Sequence, residues 1–392
     1  MQIGDENLHH VREVMDEVFG VANFFSLITF KKTLPLGSSG LAGINDYILW
    51  YAKNKSLIKY RELYIHKPIG EGTGYTWVEE LDGTRRKMTK EERSDPLSIP
   101  KDCHVFFTSA LASSGYTPTC MYDFEFEGKL YKCGSKSWRT YKEGMQRLIE
   151  KKRIIAPGSL PCFIQYYDDF PMQPLHNLWD DTHGATDLRY VVQTSNKVLQ
   201  RCLLMTTDPG DLVLDPTCGS GTTASVAEQW GRRWVTCDTS RVSITLAKQR
   251  LMTALFDYYE LAHPDEGVGS GFRYKIVPHI TLKSIANNEP PGQETVYDQP
   301  FVDNSRARVT GPFTVEAVPA PIVKPLDELD KIPSPPVGEG WGEGEIASPS
   351  ARNDIARSGE TLRQAEWRDE LLKCGIRGKN NQYILFSRVE LK

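Results

Sequence analysis

The chain has 392 residues, of which 40% are hydrophobic and 25% are charged, and its formal net charge is −4 at pH 7. These values are ordinary for a globular protein and exclude a fibrous or wholly disordered chain, while the length allows two domains or one large domain with an insertion. The 8 cysteines form no C-x-x-C pair, so we expect no metal site and reduced, mostly buried thiols. No signal sequence follows Met1, and no apolar run approaches the ~18 residues of a membrane span. The sequence therefore predicts a soluble, cytoplasmic protein with no membrane partner.

The first sixty residues alternate between strand and helix patterns. A strand is predicted to end at Gly4, and Asp5 can cap a helix whose apolar face is formed by Leu8, Val11, Met15, Val18 and Phe19. Two more strands are predicted at residues 23–32 and 46–53, the second with apolar residues on both faces. Residues 33–43 between them have no periodicity and are predicted to form a loop.

A looser pattern follows from residue 63 to about residue 170. Short aromatic and β-branched pieces alternate with charged or glycine-containing turns, which predicts a β-rich insertion. The pieces are at residues 75–78, 103–107, 121–126 and 130–133.

A basic cluster lies inside this insertion. Nine Lys or Arg residues occur between Lys129 and Arg153, with Tyr131, Trp138 and Tyr141 among them. Such cations suit phosphate contacts, and the aromatic rings offer stacking surfaces for bases. Taken without context, however, a solvated basic helix face explains the cluster better than a nucleic-acid contact does.

The sequence is organised around residues 212–223, LVLDPTCGSGTT. A short apolar run ends at Asp215, the following Pro and two Gly turn the chain, and residues 224–230 form a predicted helix. Glycines let the backbone approach a ligand closely, and a helix start presents free N–H groups. The Asp215 carboxylate would repel a pyrophosphate, so it favours a ligand with a cationic group or hydroxyls. A phosphate loop and a dinucleotide fingerprint are excluded, because Thr222 replaces the required Lys and Ala224 replaces the third Gly.

A second acid follows at the end of the next predicted strand. Residues 232–238 end in Asp238, and Ser240 can cap a helix from Arg241 to about Leu255. If the two strands are parallel, their carboxyl ends meet at the same edge of the sheet and both acids face one crevice. The acid after the second strand typically accepts hydrogen bonds from ribose hydroxyls there. Two ordinary helix-capping acids are the alternative. Upstream, Thr194 or Ser195 is predicted to cap a further helix.

The remaining sequence is less regular. Residues 274–282 predict a third parallel strand, although Pro278 weakens it. Residues 318–358 are rich in Pro and Gly and predict a linker. A helix at 361–373 and an unpaired strand at 383–389 are predicted after it.

Residues 191–251 closely resemble the S-adenosylmethionine-binding half of bacterial DNA methyltransferases that modify exocyclic amino groups of bases. The Gln-Thr block, the Asp-Pro-x-x-Gly-Ser-Gly-Thr-Thr loop and the second acidic strand occur in the order of that family. The sequence is most similar to the permuted class, in which the catalytic motif precedes the cofactor loop, and there to modification subunits of type III restriction systems. The resemblance covers most of residues 1–325. It implies an α/β, Rossmann-like S-adenosylmethionine-dependent methyltransferase sheet, incomplete, with an inserted β-rich target-recognition region.

The sequence patterns and the resemblance together divide the chain into six segments, and the resemblance implies the roles of residues in them. These are the remaining part of the catalytic half (1–62), the DNA target-recognition insertion (63–175), the S-adenosylmethionine-binding half (176–285), an extension (286–317), the linker (318–358) and a C-terminal helix and strand (359–392). The implied cofactor contacts are Gln193, Thr194, Asp215, Pro216, Thr217, Cys218, Gly219, Ser220, Gly221, Thr222, Asp238 and Thr239. The implied DNA contacts are Lys132, Lys136, Trp138, Arg139 and Lys142. The 33–43 loop would face the DNA, with an ordinary surface connection as the alternative. The partners implied are duplex DNA and a restriction subunit or second modification subunit.

The catalytic Asp-Pro-Pro-aromatic tetrapeptide of the family does not occur in the sequence. In such enzymes the amino group of the flipped base donates a hydrogen bond to that Asp, and the aromatic ring stacks on the base. We therefore expect an N-terminally truncated or split DNA methyltransferase, specific for adenine, with no catalytic residue in this chain. A catalytically inactive DNA-binding remnant and an RNA methyltransferase are the alternatives.

Overall fold

The computed structural model describes residues 1–33, 40–182 and 193–317, together with the backbone of 376–377 and 383–384. Two compact units are present, Met1–Val315 and Glu316–Lys392. In the second unit, Ile376–Arg377 pairs antiparallel with Tyr383–Ile384, so the strand predicted there has a partner. The predicted linker and the helix at 361–373 lie outside the described residues, as does most of the predicted 33–43 loop.

The first unit contains strands and helices throughout its described residues. The strands up to residue 138 are β1 (Gln2–Ile3), β2 (Phe24–Lys31), β3 (Asn45–Tyr51), β4 (Tyr64–His66), β5 (Tyr75–Glu79), β6 (Arg85–Lys87), β7 (His104–Ala110), β8 (Ala112–Ser113), β9 (Phe124–Phe126), β10 (Lys129–Tyr131) and β11 (Ser137–Trp138). The later strands are β12 (Ile154–Ile155), β13 (Cys162–Tyr166), β14 (Met172–Pro174), β15 (Leu178–Trp179), β16 (Leu212–Asp215), β17 (Arg233–Thr236), β18 (Leu255–Tyr259), β19 (Tyr274–His279), β20 (Gly292–Pro300) and β21 (Val302–Val309). The helices are α1 (Leu8–Phe19), α2 (Lys90–Ser94), α3 (Lys142–Glu150), α4 (Asn196–Thr206), α5 (Thr222–Gln229), α6 (Arg241–Thr253) and α7 (Leu282–Asn287).

The N-terminal sheet has the order β1-β3-β2-β15. Only β2 and β15 are parallel, and the other two pairs are antiparallel. Apolar residues of β2, β3 and β15 pack with α4 and α5 in one core, which includes Ile28, Phe30, Trp179, Leu204 and Trp230. This core joins the N-terminal sheet to the helices on either side of β16.

Helix α1 forms as predicted, but its apolar stripe is not buried. No residue of α1 is buried, and Val18 is 69% exposed. Polar and aromatic groups of the helix contact the sheet. Arg12 lies 3.7 Å over the Phe24 ring, Asp16 accepts a hydrogen bond from the Tyr51 hydroxyl, and the Phe19 ring centroid is 5.8 Å from that of Tyr51. Leu8, Val11 and Met15 of the predicted apolar face are thus half-buried, whereas Val18 and Phe19 are exposed.

The cofactor half is built on the parallel pair β16 and β17. The predicted third parallel strand is wrong, since β19 pairs antiparallel with β20. The predicted helix to Leu255 ends at Thr253, and β18 follows it and pairs antiparallel with β21. The paired strands lie as far apart in the chain as Leu255 and Val309, so local periodicity did not reveal the direction of pairing.

The insertion is β-rich, as predicted. Its main sheet has the order β12-β13-β7-β5-β6, with every pair antiparallel. A second core beside it contains Leu111, Phe124, Tyr131, Trp138, Met145 and Leu148. Trp138 is 2% exposed and its indole N–H donates to the Tyr122 carbonyl at 2.7 Å.

Helix α3 of the insertion packs on α7 of the cofactor half. The Ala286 carbonyl accepts hydrogen bonds from the Arg147 guanidinium at 2.6 Å and from the Tyr141 hydroxyl at 3.4 Å. Gly144 allows this approach, because a Cβ there would lie 3.1 Å from the Ala286 Cβ. The insertion is thus fixed to α7 by a specific helix contact.

Three further expectations concern thiols, metals and membranes. The seven cysteines of the described part are free. Cys218 is buried, Cys237 is exposed and the other five are half-buried, so most of these thiols are only partly buried, contrary to expectation. Within the described residues, no group of three His, Cys, Asp or Glu side chains could hold a metal ion. No helix in that part of the chain has the length and apolar character needed to cross a membrane.

Because Trp138 is buried, its replacement is expected to lower the stability of the protein. Trp138→Ala is expected to lower the free energy of unfolding by about 3–5 kcal/mol, because it removes a large side chain from the insertion core. Urea unfolding followed by fluorescence measures this. Lys136→Ala, an exposed neighbour, is the control and is expected to change stability by less than about 0.5 kcal/mol. Equal stability of Trp138→Ala and wild type would contradict the burial.

Candidate functional site

The two acids singled out in the sequence lie at neighbouring strand ends. Strands β16 and β17 are parallel, with Asp215 opposite Thr236. Two backbone hydrogen bonds continue the pairing beyond the strands, from Cys237 N to the Asp215 carbonyl at 3.0 Å and from Cys218 N to the Cys237 carbonyl at 2.8 Å. Asp215 and Asp238 therefore reach the same edge of the pair, as the parallel arrangement predicts.

Carboxylate hydrogen bonds shape the loop between β16 and α5. Oδ1 of Asp215 accepts from the Thr217 backbone N–H at 3.0 Å. Asp238 accepts from Gly219 N–H at 2.8 Å through Oδ2 and from Ser240 N–H at 2.8 Å through Oδ1. These N–H donors, that of Ser240 first, lower the pKa of the Asp238 carboxyl. The loop is thus tied to both strand ends.

A pocket of about 630 Å³ opens beside this loop. One wall is the loop, and the opposite wall includes Gln2 of β1 with Met15 and Phe19 of α1. Asp215 is the one charged side chain among the described residues that line the pocket. The pocket is therefore negatively charged and otherwise uncharged in its side chains.

An apolar cavity of about 460 Å³ adjoins this pocket. The two share Met1, Gln2, Met15, Phe19, Leu199 and Thr223 in their walls. The Cys202 thiol lies in the apolar part, where burial raises its pKa to about 11. That thiol is protonated at neutral pH and adds no charge to the pocket.

A family model described as DNA methylase matches residues 1–249, which is more than half of the chain. The chain belongs to the DNA methylase family. The resemblance drawn from residues 191–251 is thereby confirmed.

Relatives of this DNA methylase chain include both type II and type III proteins. The type II methyltransferase M.EcaI of Enterobacter cloacae is 26% identical over 254 residues, which cover 61% of this chain and 50% of M.EcaI. The probable type III restriction-modification enzyme HindVI Mod subunit of Haemophilus influenzae is 36% identical over 305 residues, covering 64% of this chain and 40% of that subunit. This chain spans about half the length of these relatives, or less. Among solved structures, that of the M1.HpyAVI–SAM complex matches with 12% identity and a TM-score of 0.30, covering 63% of this chain and 70% of that one.

Most of the predicted cofactor residues of the methylase chain line the pocket. They are Gln193, Thr194, Asp215, Pro216, Thr217, Cys218, Gly219, Ser220 and Thr222. Gly221, Asp238 and Thr239 do not line it. Both oxygens of Asp238 already accept loop and helix N–H groups, so in this structure Asp238 supports the loop.

Gln2 and Arg250 are polar residues at the site that were not predicted from the sequence. Gln2 lines the pocket, and its side-chain oxygen accepts a hydrogen bond from the Thr194 hydroxyl at 2.6 Å. Neither Thr194 nor Ser195 caps α4 with its side chain, since Ser195 is the N-cap and makes no such bond. The signal for Gln2 was its position near a strand end, two residues before Gly4.

Arg250 of α6 is the second missed residue. It is 8% exposed, and its guanidinium donates to the Thr222 hydroxyl at 3.0 Å and to the Asn196 side chain at 3.1 Å. The Thr222 hydroxyl is also 2.8 Å from the Ser220 hydroxyl. A buried arginine thus connects the end of the loop to α4, and a helical arginine pattern alone gives no sign of it.

The predicted DNA contacts divide into two groups. Lys132, Lys136, Arg139 and Lys142 are exposed. Trp138 and Tyr131 are buried in the insertion core, at 2% and 6% exposure. The prediction that Trp138 contacts DNA is therefore wrong for this structure, because core packing encloses the indole and leaves no ring face for a base.

The two loop glycines give a matched pair of substitutions. A Cβ at Gly221 would lie 2.6 Å from the Ala247 Cβ and 2.9 Å from its Cα, whereas a Cβ at Gly219 meets nothing closer than 3.9 Å. Both have positive φ, at +73° and +52°, so each Ala substitution costs about 1–2 kcal/mol of backbone strain. Gly221→Ala must additionally push α5 and α6 apart. We expect it to lower the melting temperature clearly more than Gly219→Ala does, and equal effects would contradict the close helix contact.

Proposed function

We propose that the pocket binds S-adenosylmethionine. The observation that supports this most directly is the half-buried Asp215, whose Oδ1 holds the loop while Oδ2 has no hydrogen-bond or ion-pair partner among the described residues. No Lys or Arg side chain of the described part lines the pocket. A carboxylate that is the one charged side chain lining its pocket attracts a sulfonium and an amino group and repels phosphate. The pocket volume of about 630 Å³ also lies in the usual range for small-molecule sites.

The residues proposed to hold the cofactor act in different ways. The Asp215 carboxylate supplies negative charge, Gln193 and Thr194 supply polar side chains, and the Gly219 turn lets the backbone approach the ligand. Met15 and Phe19 of α1 supply the apolar wall. When bound, S-adenosylmethionine supplies a methyl group on a positively charged sulfur, which an amine nitrogen can attack without first losing a proton.

We propose further that the protein methylates the exocyclic amino group of adenine in duplex DNA, in the cytoplasm, as part of a restriction-modification system. Membership of the DNA methylase family supports the DNA substrate. Residues 63–175 are proposed to recognise the target, with Lys132, Lys136, Arg139 and Lys142 at phosphates. The relative described as a Mod subunit supports a restriction subunit or second modification subunit as a partner.

The proposal separates cofactor binding from methyl transfer. Because the 392-residue sequence contains no Asp-Pro-Pro-aromatic tetrapeptide, the transfer would require a polypeptide that supplies one. We expect the chain alone to incorporate no radiolabelled methyl groups into duplex DNA at a rate above a no-protein blank. Turnover by the chain alone would overturn this part of the proposal.

Asp215→Asn tests the cofactor site. Asn keeps the oxygen that accepts from Thr217 N–H but removes the negative charge, so we expect at least about 10-fold weaker binding of S-adenosylmethionine. Isothermal titration calorimetry measures the affinity, and the melting temperature of the variant is expected to stay close to that of wild type.

Asp102→Asn is the matched control, since Asp102 is exposed and lies in the insertion. It should leave the affinity unchanged. The cofactor assignment fails if Asp215→Asn binds S-adenosylmethionine as well as wild type does, or if wild type binds ATP more tightly.

A further inference from the structure

A short, uncharged loop projects from the insertion beside the exposed cations. Residues 105–122 contain no Asp, Glu, Lys or Arg, although nine Lys or Arg residues follow between 129 and 153. Within this uncharged stretch, residues 114–119 are all exposed. Tyr116 is the large side chain among them and is 71% exposed.

Both ends of this loop are fixed to one buried residue. Ser113 of β8 pairs with Ser137 of β11. The Ser137 hydroxyl, in a residue that is 1% exposed, accepts from Thr117 N–H at 2.6 Å and donates to the Thr117 carbonyl at 3.2 Å. Residues 114–116 therefore project from a rigid base, which lowers the entropy that Tyr116 would lose on binding.

Exposed cations flank the same base. Lys136 immediately precedes Ser137, and Arg139 follows two positions later. The Arg139 guanidinium is held near the start of the loop by the Ser109 hydroxyl at 3.0 Å, and Arg139 N–H donates to the Leu111 carbonyl at 2.9 Å. The cations thus lie on the strand that anchors the loop.

This arrangement separates the two kinds of DNA contact. Cationic side chains contact phosphates and position a protein on the duplex, whereas hydrogen-bonding and aromatic side chains contact base edges and read sequence. Ser114, Tyr116 and Thr117 are of the second kind. A loop that itself carried positive charge would add phosphate affinity without sequence discrimination.

We infer that residues 113–117, with Tyr116 at their tip, contact bases of duplex DNA while Lys136 and Arg139 contact the flanking phosphates. The inference rests on the proposed DNA substrate and goes beyond it by naming the base-contacting element. It also replaces the buried Trp138 with Tyr116 as the aromatic contact.

The test compares sequence preference with salt dependence. A randomised duplex DNA library is selected on the wild-type chain, and affinities for the enriched duplex and for unselected duplex are then measured by fluorescence anisotropy at several salt concentrations. Tyr116→Ala is expected to reduce the ratio of these affinities at least about 10-fold with little change in salt slope. Lys136→Ala and Arg139→Ala should each weaken binding to both duplexes by the same factor and reduce the slope of log affinity against log salt concentration by about one.

Matched controls come from the far end of the main sheet of the insertion, whose strand β7 leads into β8 and the loop. Leu81, which is 86% exposed, lies in the turn between β5 and β6, and Lys101 precedes β7. Strand β5 pairs Glu79 with His104, so both lie at the end of β7 away from the loop. Leu81→Ala and Lys101→Ala should leave preference and salt slope unchanged. Tyr116→Phe separates stacking, which it retains, from hydrogen bonding by the phenol.

The possible outcomes separate failure of this inference from failure of the proposed DNA substrate. If wild type enriches a sequence and Tyr116→Ala preserves that preference, the inference fails and the DNA substrate stands. If wild type binds no duplex DNA, or binds RNA duplex of the same sequence more tightly, both fail. Loss of preference in Tyr116→Ala with an unchanged melting temperature supports the inference.

Discussion

The candidate site depends on one carboxylate that connects the cofactor loop to the second parallel strand. Asp238 accepts from the N–H of Gly219 in the loop and from the N–H of Ser240 at the start of α6. Its pKa is lowered by these bonds, so their contribution to stability is complete above the usual carboxyl pKa and is lost as the pH falls through the lowered value. At neutral pH the connection is fully charged, and Gly219 is held in the turn that forms the pocket wall.

A second set of contacts fixes the far end of the loop. Arg250 bonds the Thr222 hydroxyl and Asn196, and Gly221 allows α5 to contact α6 at Ala247. A partly satisfied buried polar network would cost more than an apolar one, so these bonds and the glycine act together. The loop is therefore supported by α4, by α6 and by the strand end. Asp215, the carboxylate that lines the pocket, consequently keeps a defined position with one oxygen available to a ligand.

The sequence predicted those features that local patterns determine. Strands β16 and β17, helices α5 and α6, and the Ser240 cap occupy nearly the predicted residues, because glycine turns, caps and apolar runs act over a few positions. The direction of β19 was wrong because its partner, β20, lies across α7 in the chain. The apolar run of β16 also gave no indication of which side chains face the core. Val213 packs in the core, whereas Leu212 and Leu214 are 58% and 66% exposed. Arg250 was missed because its partners come from two other elements.

Aromatic residues in the basic cluster show why composition alone could not assign roles there. Exposed rings and core rings follow the same pattern in a short strand. The packing of the indole, for example against Phe124 at 5.1 Å between ring centroids, is what shows that Trp138 lies inside. The burial has a consequence for the neighbouring loop, because Trp138 pairs with Ala112 and its neighbour Ser137 holds Ser113 and Thr117. Core packing of Trp138 therefore keeps β8 and β11 rigid, and this rigidity presents Tyr116 to solvent. The two aromatic residues therefore have different roles. Trp138 stabilises the pair of strands from the core, and Tyr116 lies exposed in the loop that the strands support.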